Sequence, residues 1–186
     1  AKASDLNETL SKVNVVFGAS AGGVIAQAEA LSNKFGIVRN EALAAASNIG
    51  LIAKASGLSQ SAAADLSARF TKLAADAGSF FNVPMADALE KIRAGLVGES
   101  EPIRSFGVLL SEAAVQSEAL SLGLVASAKQ MTEGIKVQAR ASLITKGLAD
   151  ATGDLERTAD SAANQMKKLW GQVEEMQTEV GKKLLP

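Results

Sequence analysis

The sequence has no cysteine and no histidine among its 186 residues. The lack of cysteine excludes disulfides and thiolate metal sites. Histidine is the usual general base and the commonest metal ligand, so its absence removes most hydrolase and metalloenzyme designs. We therefore expect no enzymatic activity, no catalytic residues, no metal and no cofactor.

Aromatic residues and proline are scarce too, with six Phe, one Trp, no Tyr and three Pro. Hydrophobic residues still make up 47% of the chain, and alanine dominates them. Alanine is the best intrinsic helix former, while few residues here favour strands, so the composition predicts an all-α fold. A core of such small side chains packs its helices closely or completes its burial against other chains.

Neither sign of charge dominates, because the chain has 19 basic and 20 acidic residues and a formal net charge of −1. Without a basic block, sequence-specific nucleic-acid binding has no support. The longest uncharged run, Val13 to Ala28, contains polar residues and is shorter than the ~20 apolar residues of a membrane-spanning helix. The chain begins with Ala1, so we expect a processed protein or a segment of a longer one.

Apolar residues recur at helical spacing along nearly the whole chain, and Gly or Pro residues separate the segments. The pattern predicts that Gly36 ends one helix and that Ser59 and Thr132 cap the starts of two others. It also predicts helices over about 39–55 and from about 109 to 130. No run alternates cleanly enough to predict a strand.

The last segment carries the most regular pattern. Its apolar residues step by four and three without a fault, which is typical of a coiled coil. This self-association seam comprises Leu155, Ala159, Ala162, Met166, Leu169, Val173, Met176 and Val180. We expect it to join copies of the chain as a trimer, with a hexamer as the alternative. A helix packed on its own domain through the same stripe would give a similar pattern.

Two short patterns could carry chemistry, and neither meets the requirements. Gly18-Ala-Ser-Ala-Gly-Gly23 resembles a phosphate loop but lacks the Lys and Ser/Thr that such a loop needs after its last Gly. Glu99 and Glu101 lie two residues apart beside Arg104, which favours solvation or ion pairing over acid–base catalysis.

The middle of the chain carries a family resemblance. It runs through Leu73-Ala-Ala-Asp-Ala-Gly-Ser-Phe-Phe-Asn-Val-Pro84 and Ala88-Leu-Glu-Lys-Ile-Arg-Ala-Gly-Leu-Val-Gly-Glu-Ser-Glu-Pro-Ile-Arg-Ser-Phe-Gly107. This stretch resembles phage tail tape measure proteins, and segments 4–17, 153–158, 163–169 and 180–186 are similar to other parts of the same region. Within it we expect a turn or a very short helix bearing the motif residues Gly98, Glu99, Glu101, Pro102, Arg104, Phe106 and Gly107.

The resemblance implies a structural virion protein that scaffolds tail tube assembly and determines tail length. Such a protein lies in the lumen of the tail tube, is assembled in the host cytoplasm, and is later ejected ahead of or with the genome. The implied partners are further copies of itself, the tail tube protein, tail tip or baseplate proteins and tail assembly chaperones. Contact with the host membrane would follow ejection.

The glycines and Pro84 make this segment a poor ruler, because they divide it into short helices. We expect a multi-helix module over 1–150 and a longer, coiled-coil-like amphipathic helix with the heptad seam over 151–186. The alternative function is a membrane-active helical module that aids genome passage through the host envelope, suggested by the run from Val13 to Ala28. A tail-embedded enzyme such as a cell-wall hydrolase is disfavoured by the missing His and Cys.

Overall fold

A computed structural model describes the backbone of residues 2–184 and the side chains of residues 4–161 and 164–180. Over this part of the chain the fold is all-α, as predicted, without a strand. The first helices are α1 (Lys2–Phe17), α2 (Ala21–Phe35), α3 (Arg39–Ala55), α4 (Gln60–Phe80) and α5 (Met85–Val97). They are followed by α6 (Ser100–Ile103), α7 (Glu112–Ser121), α8 (Glu133–Gly147), α9 (Asp154–Arg157) and α10 (Ala162–Leu184).

Local capping chemistry sets several of these boundaries. Gly36 ends α2 in the left-handed conformation, with φ of 68°, and its N–H donates to the Ser32 carbonyl. The hydroxyl of Ser59 accepts the N–H of Ala62 at the start of α4. Thr132 caps α8 in the same way. The three predicted caps are therefore confirmed.

The helix predicted from Leu109 to Gln130 is too long. Within this range only α7 (Glu112–Ser121) is an α-helix, and the chain then turns at Gly123, which adopts a φ of 68°. The N–H of Leu124 returns to the Ala119 carbonyl, which closes the end of the helix. Gly123 thus lies just past the end of α7, and residues 128–130 form only a 3-10 turn.

Helix α4 lies at the centre of the fold and packs against α1, α2, α3, α5 and α9. Its buried stripe contains Ala63, Leu66, Phe70, Leu73 and Ala77. Small residues let neighbouring helices approach closely. At the contact of α1 with α3, a Cβ at Gly50 would lie 2.4 Å from the ring of Phe17.

Helices α1 and α2 contribute their large apolar side chains to the same core. Leu6, Val13, Phe17, Val24 and Leu31 are all buried. A 3-10 turn at Gly18–Ser20 joins the two helices.

The longest helix is α10, with 23 residues, and it packs against α1 and α2. A turn at residues 158–161 separates it from the short helix α9. The seam is therefore not one uninterrupted helix from its first residue. Leu155 is buried in α9, Ala159 lies in the turn, and Ala162 begins α10 with its side chain outside the described residues.

Candidate interaction surface on the C-terminal helix

The apolar face of α10 points away from the rest of the protein. We name the outer row as its large apolar residues, which are 45–67% exposed: Met166, Leu169, Trp170, Val173, Met176 and Val180. All of them except Trp170 belong to the predicted seam, and Trp170 lies beside it. The structure thus brings together five of the eight seam residues on one open surface.

The opposite side of α10 faces the protein through small and polar residues. Asn164, Gly171 and Thr178 are buried at intervals of seven, and we call them the inner row. If Met166, Val173 and Val180 are heptad positions a and Leu169 and Met176 are positions d, the inner row occupies position f, opposite the seam. The helix therefore docks on its own domain through the side that a coiled coil leaves outside.

Two glycines allow this docking at backbone distance. A Cβ on Gly171 would lie 1.6 Å from the carbonyl oxygen of Gly36, and a Cβ on Gly36 would lie 2.5 Å from the Cα of Lys168. No side chain fits between the end of α2 and α10 at this crossing. Gly171 is therefore required where α10 crosses Gly36.

Charged groups hold α10 against the first turn of α3. The carboxylate of Glu175 accepts a hydrogen bond from the backbone N–H of Arg39. That N–H has no partner inside α3, and the positive end of the helix dipole also favours a carboxylate there. The Arg39 guanidinium lies 3.1 Å from Glu179 and 3.7 Å from Glu175.

A polar cluster anchors the start of α10 to α4. The side-chain amide of Asn164 donates to the hydroxyl of Ser79 at 3.0 Å and to that of Thr158 at 2.7 Å. The Ser79 hydroxyl donates to the buried carboxylate of Asp154 at 2.8 Å. These bonds tie α4, α9 and α10 together.

A cavity of about 370 Å³ lies between α10 and the helices beneath it. Its apolar walls include Phe35, Val83 and Met85, and two carboxylates, Glu41 and Glu174, line it as well. Burial and, to a lesser degree, the charge of Glu174 raise the pKa of Glu41, while a hydrogen bond from the Ala86 backbone lowers it. The fold therefore favours the neutral form of Glu41.

The motif turn between Gly98 and Gly107 makes structural contacts. It forms the four-residue helix α6 and a 3-10 turn over Arg104–Phe106, as the very short helix we predicted. Phe106 stacks on Phe81 at a centroid distance of 4.2 Å. Glu101 and Arg104 lie 2.8 Å apart and are both largely exposed, so they pair with each other on the surface.

The remaining motif residues complete this turn. Gly98 and Gly107 adopt φ of 98° and 79° and close the ends of α5 and of the 3-10 turn. Glu99 precedes α6, and Pro102 lies inside it, where its carbonyl accepts the Ser105 hydroxyl. The turn lies away from α10, so the two sets of predicted residues do not form one site.

Carboxylates elsewhere are similarly engaged in pairs. Lys146 Nζ lies 2.6 and 2.8 Å from the two oxygens of the buried Glu118, and the Ser142 hydroxyl donates to the same group. Lys146 first, and Ser142 second, lower the pKa of Glu118. Among the residues whose side chains are described, no cluster of three or more acidic groups could hold a metal ion.

In the part of the chain that the structure describes, one helical segment, Ser4–Phe35, is long and apolar enough to cross a membrane by length and composition. About a third of its most apolar window is buried in the fold. Many of its large apolar side chains, including Phe17, belong to the core described above, while Val15 is exposed.

The seven-residue spacing of Asn164, Gly171 and Thr178 is visible in the sequence, but by itself it indicates no contact. Small and polar residues at position f of a coiled coil normally face water, so only the fold reveals that they are buried. Comparisons of the chain with protein-family models, with curated proteins and with solved structures find no match.

Proposed function

We propose that the chain is a module of a phage tail tape measure protein, with a structural role in tail assembly, in determining tail length and in genome ejection. The proposal rests first on the motifs of segment 73–107 and the similar segments around it. It is consistent with the all-α fold. Its partners would be copies of itself, the tail tube protein, tail tip or baseplate proteins and tail assembly chaperones.

The observation that carries the proposal is the outer row of α10. Large apolar side chains at 3.5-residue spacing lie in solvent, which is the surface that a coiled-coil partner covers. A protein that works by assembly needs such a surface, whereas a self-contained enzyme domain does not. We propose that α10 is coiled-coil-like in the assembled protein and that its occupant is another copy of this chain.

Charge and area both fit a second copy. Within α10, the positions beside the heptad core carry the uncharged Gln165, Trp170, Gln172 and Gln177 and one charge, Glu179, which is paired with Arg39, so identical helices meet little repulsion there. The outer row offers on the order of 600 Å² per copy, so a pair would bury on the order of 1,200 Å², the lower limit of a specific stable interface. Three copies bury more per chain, which favours the trimer, with the hexamer as the alternative.

The fold supports a position for this module outside the measuring rod itself. A helical ruler advances about 1.5 Å per residue, so the whole chain as one helix would span about 280 Å. The longest helix here has 23 residues, or about 35 Å. We place the module at one end of, or folded within, a longer rod-forming protein associated with the tail tube lumen.

Tail length tests this assignment directly. Forty helix-forming residues inserted in the rod of the parent protein should lengthen tails by about 60 Å. The same insertion in the exposed connection after α7 should leave tail length unchanged, because that connection belongs to a folded module. Tails of unchanged length in electron micrographs of the rod insertion would contradict the proposal. Tails that lack this chain would contradict it as well.

A membrane-active module is the second candidate, and segment Ser4–Phe35 is the observation that favours it. Insertion would require α1 and α2 to leave the core, since residues such as Val13 and Phe17 are fully buried. Leakage of dye from liposomes on addition of the 186-residue chain would support this function. Intact liposomes across the same concentrations would count against it.

A further inference from the structure

The inner row and the outer row of α10 lie on opposite sides of one helix, so both can be covered at the same time. The outer row is open while the inner row is docked. A partner helix could therefore cover the outer row without displacing a contact of the inner row. This geometry differs from that of a latch, in which binding one surface uncovers the other.

We infer that α10 remains docked on its own domain when copies associate, so that it serves as a joint between the domain and a central bundle. The inference rests on the proposed self-association of the seam. In a bundle, positions a and d face the axis and position f faces outwards. With Asn164, Gly171 and Thr178 at position f, the domains would be carried on the outside of the bundle.

The contacts of the inner row fix the domain to the bundle in one orientation. The Gly36–Gly171 crossing tolerates no side chain, and the Glu175 carboxylate fits the first N–H of α3. Asn164 adds a third anchor at the start of α10 through Ser79 and Thr158. Contacts at three levels of one helix restrain both its rotation and its sliding.

Two residues supply reporters for the two faces. Trp170 is the only Trp in the sequence; it belongs to the outer row and also lines the edge of the cavity beneath α10, so a change in its emission reports association when the docking reporter stays constant. The N–H of Arg39 donates to Glu175 across the inner face, so its hydrogen exchange reports docking. A peptide covering residues 37–43 contains this amide and lies outside α10.

The experiment measures sedimentation, Trp170 emission and exchange of peptide 37–43 on the 186-residue chain over a concentration series. As the chain associates, Trp170 emission should shift to the blue while exchange of the peptide stays constant. Exchange at least tenfold faster in the oligomer than in the monomer would overturn the joint and leave self-association standing. A chain that is monomeric at every concentration would overturn both proposals.

Two variants separate the faces. Leu169→Asp should abolish association, leave Trp170 emission red-shifted and preserve the protection of peptide 37–43. Gly171→Ala should preserve association and speed exchange of that peptide at least tenfold, because its Cβ would collide with Gly36 while alanine strengthens the helix itself.

Gly23→Ala is the matched control, since nothing lies within 4 Å of its added Cβ. It should alter neither association nor the exchange of peptide 37–43. If Gly171→Ala failed to associate while its circular dichroism spectrum matched that of Gly23→Ala, the independence of the two faces would be overturned.

Discussion

Glu175 and Arg39 are joined by a hydrogen bond from a backbone N–H to a carboxylate, across the contact between α10 and α3. The donor belongs to the first turn of α3, where no carbonyl of the helix can accept it. A side chain 136 positions away thus caps the helix. The start of α3 and the docking of α10 depend on each other through this bond.

Replacing Glu175 with Ala should loosen α10 without unfolding the core. A charge-assisted bond at a helix start contributes about 1–2 kcal/mol, so hydrogen exchange at Arg39 should rise by about tenfold. Exchange in α4 should stay unchanged. The control is Gln172→Ala, an exposed neighbour on the same helix. Equal exchange at Arg39 in both variants would show that Glu175 does not hold the helix.

Gly50→Ala should destabilise the core, because its Cβ would lie 2.4 Å from the Phe17 ring and 2.9 Å from Val16. Phe17 is fully buried, so we expect a loss of about 1–3 kcal/mol in the free energy of unfolding. Urea unfolding followed by circular dichroism measures it. Gly23→Ala, placed in open space, should gain up to about 1 kcal/mol. A stabilised Gly50→Ala would contradict the close contact of α1 with α3.

Glu41→Gln should raise the melting temperature at neutral pH. The raised pKa of Glu41 means that the fold prefers its neutral form. The cost of its charge is therefore present at neutral pH and disappears as the pH falls through the raised pKa towards 4.5. The difference between variant and wild type should shrink over that range. Thermal melts at several pH values measure it, and Glu8→Gln, an exposed carboxylate, serves as the control. A destabilised Glu41→Gln at neutral pH would refute the assignment.

Glu118→Gln should have the opposite effect on stability, lowering it at neutral pH. Lys146 and Ser142 lower the pKa of Glu118, so its charge stabilises the fold above the ordinary pKa of 4.5. This contribution is lost as the pH falls through the lowered pKa. We expect the variant to lose about 1 kcal/mol at neutral pH, because a charged hydrogen-bond acceptor is replaced, with partial screening by solvent at the exposed Lys146. Urea unfolding at neutral and acid pH measures this difference in the free energy of unfolding. An equal loss at both pH values would show that the charge of Glu118 does not contribute.

The sequence predicted the helical class and those boundaries that depend on local chemistry. Gly36, Ser59 and Thr132 act within one turn of their own position, so their roles can be read without the fold. The end of α7 was missed because an apolar pattern continues past Gly123, and pattern alone does not show where the chain turns away.

The orientation of α10 could not be predicted from the sequence. An apolar stripe normally marks the side of a helix that faces its own core. Here the close backbone contact of Gly171 and the cap formed by Glu175 place the opposite side inward. Both contacts join residues more than a hundred positions apart, and no local pattern encodes such a pairing.

The most direct test of the central claim is sedimentation equilibrium of the 186-residue chain from low to high micromolar concentration. The exposed row of Met166, Leu169, Val173, Met176 and Val180 predicts a mass near three times 19.1 kDa at the upper end of this range. Leu169→Asp should hold the mass at that of one chain, since association would bury a charge. A wild-type chain that sediments as a monomer throughout would contradict a role for this helix in joining copies.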